Sequence, residues 1–162
     1  MLKFYRKESK LMFYAIYLLT IFIYLVCASG AVTDLAPFID TITLTYTLFP
    51  CFLVLWCTKS LKPFGHAFLS AFGRRELTLE EARGSLLSVK MAAVTSVLFG
   101  ALCFMIGTIN CFRHFDFAQM EDMSRLLADV TVLTLSFFYP ALVCVILLPV
   151  YFLLKKHIRS LS

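Results

Sequence analysis

The sequence predicts an all-α membrane protein with four spanning helices and a short helical elbow between the second and third. Three observations carry that prediction. Four apolar runs, residues 11–29, 42–58, 91–110 and 127–154, each approach the ~20 apolar residues that cross a bilayer as a helix. Hydrophobic residues make up 60% of the 162, above the ~45–50% of soluble domains, and mean hydropathy is +0.86. Thirteen of the 15 lysines and arginines lie before the first run, between the second and third, or after the fourth. A soluble chain of this length has too little interior to hide four such helices, whereas in lipid each helix satisfies its own backbone.

Because basic residues stay on the cytoplasmic side, both termini and segment 59–90 are expected in the cytoplasm. Loop 111–126, with Arg113 and Arg125, is expected outside. The net charge of +5 is accounted for by this topology and implies no nucleic-acid partner. The whole chain, 1–162, reads as one membrane domain, with the lipid bilayer as its first partner.

The first run holds 19 residues without a charge, longer than the apolar core of a signal peptide. Cys27-Ala28-Ser29-Gly30 offers small residues for cleavage, but a retained span is expected. Tyr14 and Tyr17 share a face, and the run reads as a peripheral, lipid-facing helix. A short external turn, 30–40, leads to Thr41-Ile42-Thr43-Leu44-Thr45. Its alternation resembles a strand, but an isolated strand leaves its backbone unpaired in lipid, so a helix is expected, kinked at Pro50.

In the elbow, Leu61, Phe64, Phe68 and Phe72 recur at helical spacing and mark an amphipathic helix on the membrane surface. Gly73 breaks it. Thr78-Leu79-Glu80-Glu81 has the form of a capping box, so a second helix starts there and runs through Leu86 and Val89 into the third span. That span should protrude by about three turns of 5.4 Å. Along it, Ala93, Ser96, Gly100, Cys103 and Gly107 form a stripe of small residues. Such a stripe lets helix backbones approach closely, either against the fourth span or between subunits. In the fourth span, Asp129, Thr131, Thr134 and Ser136 lead to Pro140 and Pro149. Asp129 and Ser136 are seven residues apart, on one face and ~10 Å apart along the axis. Hydroxyls and a carboxylate so placed suit an ion pathway; alternatively, they bond their own helix and complement its dipole.

The six cysteines show no C-x-x-C spacing, and they read as small packing residues with no metal site. His114 reads as a solvated loop residue. No paired carboxylates, ligand cluster or nucleophile–base set suggests an enzyme, and no cofactor is implied.

From Phe38 to the C-terminus the chain resembles the MotA/TolQ/ExbB proton-channel family, in particular its short MotA-like members. Three stretches carry the resemblance: Phe38-Ile39-Asp40 before the second span; Leu61-Lys62-Pro63-Phe64-Gly65-His66 followed by Leu77-Thr78-Leu79-Glu80-Glu81; and Leu133-Thr134-Leu135-Ser136 through Tyr139-Pro140 to Leu147-Leu148-Pro149. It implies a homopentamer in the bacterial inner membrane, ringed around a single-span partner of the MotB/ExbD/TolR type that carries the proton-binding aspartate. It further implies that spans three and four face inward and that the hydroxyl opposite that aspartate is Ser136. The implied role is that of a stator-like subunit of a motor or energy-transducing complex. This chain departs from the family pattern in having Pro140 where the family has glycine, in a changed third-span motif at Gly100–Phe104, and in having only about thirty residues between spans two and three. Two other classes stay open: a non-conducting assembly protein of the same fold, and a small-molecule transporter. The transporter needs a carboxylate within a span, and Asp129 lies at an edge.

Overall fold

The computed structural model describes residues 12–23, 26, 40–73, 75–113 and 120–161, with only the backbone at 120–128, 131 and 132. Five helices account for most of the described chain: α1 (Met12–Ile23), α2 (Thr41–Cys57), α3 (Leu61–Ala71), α4 (Leu79–Arg113) and α5 (Met120–Leu161). The expectations for Cys27–Gly30, for most of turn 30–40, and for His114 lie outside the described residues. So do the side chains of Glu121, Asp122, Arg125 and Thr131.

Two helices are long and apolar enough to cross a membrane: α4, with 35 residues, and Leu133–Leu161 of α5, with 29. The bent pair α2 and α3 makes a third candidate if counted as one span. These are the helices of a membrane protein. Within the most apolar stretch of each, only 17% of α4 and 28% of α5 is buried in the chain. Leu98, Leu102, Met105, Ile109 and Phe112 leave one flank of α4 open. In water that flank would be a large apolar liability; in lipid, or against another helix, it is not.

The capping box forms as expected. Thr78 Oγ1 accepts from the Glu81 amide at 3.4 Å, and Glu81 accepts from the Thr78 amide at 3.1 Å. Arg75 bonds Glu81 at 2.7 Å and His66 at 2.8 Å, tying the start of α4 back to α3. From that cap α4 continues without a break for roughly 52 Å, at 1.5 Å per residue.

The elbow is a sharp turn, with α2 and α3 meeting at 108°. A Schellman closure ends α2: the Ser60 amide reaches Leu55 O at 2.8 Å and the Lys59 amide reaches Trp56 O at 2.9 Å. Lys59 takes the left-handed conformation, φ 54°, that usually falls to glycine. Gly73, φ 69°, closes α3 in the same way. Phe64, Phe68 and Phe72 pack against the core, and Phe72 meets Tyr14 edge-on at 5.2 Å.

The core gathers where α1, α3, α4 and α5 converge at the elbow end. Leu77, Ala82, Val89, Val150 and Leu154 are buried there. α4 is the hub and packs on α5, α2 and α3, most extensively on α5.

α5 starts at Met120, ahead of the apolar run 127–154, and α4 ends at Arg113. Hydropathy marks where lipid begins, not where hydrogen bonding begins. α2 continues through Pro50 as one helix. One expectation is corrected: α1 is not simply lipid-facing, because Tyr14 is buried and its hydroxyl donates to Ile146 O at 3.1 Å. Tyr17 donates to Val145 O at 3.0 Å. Pro149 has no amide hydrogen, so Val145 O lacks its partner four residues on. Tyr17 supplies the missing donor, and this docks α1 on α5. The opposite face, with Phe13, Ile16, Leu19 and Ile23, is exposed.

Candidate functional site

Proline shapes the α4–α5 interface as well. Pro140 removes the hydrogen that Ser136 O would accept within the helix. Gly100 covers that oxygen. A Cβ built on Gly100 would lie 2.5 Å from Ser136 O and would overlap Pro140 Cγ. Only a hydrogen fits in that place, facing the orphaned carbonyl. About two turns further along, a Cβ on Gly107 would overlap Leu133 Cδ2. The small-residue stripe is therefore occupied within the chain at Gly100 and Gly107. Ser96 of the same stripe turns toward α2. It is fully buried, and the Cys51 thiol lies beside it. That thiol directs its hydrogen to carbonyls, Thr47 O at 3.3 Å and Ala92 O at 3.5 Å. Ala93 is half-buried, and its carbonyl lies 3.9 Å from the Cys144 sulfur.

The predicted pathway residues divide. Ser136 is buried, 5% exposed, in the α4 contact. Thr134 is exposed, and its hydroxyl bonds Val130 O of its own helix at 2.9 Å. Asp129 is exposed near the end of the bundle, where its carboxylate takes a hydrogen bond from the Cys111 thiol of α4. Ser136 and Thr134 thus point to different surroundings, and of these two hydroxyls the one reachable from outside the chain is that of Thr134. The threonines of α2 satisfy themselves: Thr45 bonds Thr41 O at 2.7 Å and Thr47 bonds Thr43 O at 2.9 Å.

Sequence reasoning missed the clasp between α2 and α5. The Asp40 amide donates to Tyr139 Oη at 2.7 Å, and Tyr139 Oη donates to Asp40 O at 3.3 Å. Asp40 also caps α2, accepting from the Ile42 amide at 3.0 Å and from the Thr43 hydroxyl. A Tyr-Pro pair in one span and an Asp-x-x-Thr cap before another are visible in sequence, but their meeting is a tertiary fact. The Thr43 hydroxyl, helped by the Ile42 and Thr43 amides and opposed by partial burial, holds the Asp40 carboxyl below the usual carboxylate range. A depressed folded-state value means the cap is fully stabilising above the unfolded value, ~3.9, and is lost as pH falls through the folded value. Asp40→Ala should therefore lower stability by ~0.5–2 kcal/mol at pH 7. The gap to the parent should shrink progressively below pH 4. Thermal melting in detergent at pH 7 and at acid pH checks both statements, and a gap of constant size would count against the cap.

Among the described residues no group of three or more metal-ligating side chains assembles, and the five described cysteines are free thiols. Comparison with known proteins found no similar family model, curated protein or solved structure.

Proposed function

We propose that this chain is a four-span subunit of a proton-motive-force-driven motor or energy-transducing complex, assembled as a ring, expected to be a pentamer, around a single-span partner. One observation supports this best. The 108° turn from α2 into the amphipathic α3 is followed by a capped α4 that extends far beyond a bilayer's thickness. A helix rigidly braced at one end and embedded at the other is suited to pass movement between membrane and cytoplasm. The open apolar flank of α4 supplies a surface for neighbouring subunits. In this reading α1 and α2 complete the four spans, the basic elbow end is cytoplasmic, and the membrane is the bacterial inner membrane.

A non-conducting assembly protein is the second reading, favoured by the burial of Ser136 within the chain. Native mass spectrometry in mild detergent, with material purified from native membranes, tests the proposal. The expected result is a five-chain ring carrying a single-span protein with an aspartate near its helix start. A monomer at every concentration would remove the ring. A ring without such a partner would favour the assembly protein.

A further inference from the structure

Two cavities meet at the elbow end of the bundle and share Leu153 and Lys156. The first, about 400 Å³, lies between α1 and α5 and is walled by Phe13, Tyr14, Pro149 and Phe152. The second, about 380 Å³, lies between α3 and α5, where Ser70, His157 and Ser160 bring polar groups to its wall. Pro149 and the tyrosine bonds to Val145 and Ile146 hold α1 close above the apolar cavity. Lys156 stands where apolar gives way to polar, and among the described residues no carboxylate lines either cavity.

We propose that this double cavity binds one phospholipid with an anionic headgroup, its acyl chain in the α1–α5 groove and its phosphate at Lys156. Apolar walls select a chain, and a lysine with neighbouring hydroxyls selects a phosphate. Among the described residues the walls offer a cation and no carboxylate, which favours an anionic headgroup over a zwitterionic one. Basic pockets between membrane helices bind anionic headgroups on the same physical grounds. His157 contributes its polar edge while it bonds Leu77 O at 3.2 Å, and so links the pocket to the loop that leads into α4. The proposal requires only that the chain lies in a membrane and is independent of the motor reading.

The test uses the purified full chain in mild detergent and native mass spectrometry. Phosphatidylglycerol, phosphatidylcholine with the same chains, and glycerol phosphate without chains are titrated separately. One phosphatidylglycerol per chain should persist, with affinity about fivefold or more above phosphatidylcholine, since one basic residue near an anionic lipid is worth about that factor. Lys156→Gln should remove this preference. Lys62→Gln, an exposed lysine outside both cavities, should leave it intact. Leu153→Trp, which fills the shared wall, should weaken both lipids. Equal affinities for the two lipids, or equal losses in the two lysine variants, would overturn the proposal. So would displacement of phosphatidylglycerol by glycerol phosphate, which would mark a site for soluble anions.

Discussion

Gly100→Leu should unseat α5 from α4 and prevent the chain from reaching a folded, monodisperse state in detergent. The cause is local. There is no space for even a methyl group at Gly100, because the Ser136 carbonyl and the Pro140 ring occupy its position. Neither neighbour yields cheaply: one is helix backbone, and the other is a ring with no rotamer to change. Overpacking in a well-filled core costs ~1–3 kcal/mol, and contact with backbone puts this substitution at the upper end or above. Gly100→Ala should show the same effect in weaker form. Pro140→Ala in the Gly100→Ala background should restore only part of the loss, since it clears the ring but leaves Ser136 O in place. Ile21→Leu, a volume-conserving change on α1, should be near neutral. Size-exclusion profiles and melting temperatures compare the four variants. A Gly100→Leu chain that melts with the parent would show that the α4–α5 contact is not formed as described.

That contact was half legible in the sequence. The stripe Ser96, Gly100, Gly107 announces a close helix approach because small residues at 3-4 spacing have little other use in lipid. It does not announce the partner, since helices related by sequence and helices related by symmetry demand the same small face. The capping box at Thr78 and Glu81 was legible because its chemistry is local: two side chains and two amides within four residues. The amphipathic α3 was legible for the same reason. The far end of the fourth helix was not. Glu121 and Asp122 look like loop residues by hydropathy, yet acidic residues suit the first turn of a helix, where the dipole favours them. Least legible were the two proline sites. Pro140 and Pro149 were expected within one span, and α5 passes through both. Each frees a carbonyl, and the fold covers one with Gly100 and the other with Tyr17. Only tertiary structure pairs a defect with its remedy.

In the proposed complex, Thr134→Val should abolish proton flux, while Ser136→Ala should leave it largely intact. A carboxylate on a partner helix needs a hydroxyl it can reach. Ser136 is buried inside its own chain, with its carbonyl against Gly100 of α4, so its hydroxyl is not at the surface a partner would meet. Thr134, two residues earlier on the same helix, is exposed, and its hydroxyl donates to Val130 O. That bond leaves the oxygen free to accept from outside, which is what a protonated carboxyl requires. Valine keeps the shape of threonine and removes only this acceptor. Ser136→Thr should instead destabilise, by ~1–3 kcal/mol, because it adds a methyl group at a buried position. Asp129→Asn should slow flux partially and make it less sensitive to salt, since an exposed charge near the mouth concentrates cations through a screened field. Flux into vesicles holding the chain and its partner, with assembly checked separately, decides between the hydroxyls. Normal flux in Thr134→Val together with loss in Ser136→Ala would return the pathway to the buried serine. Flux unchanged in both variants would leave the assembly protein as the better reading.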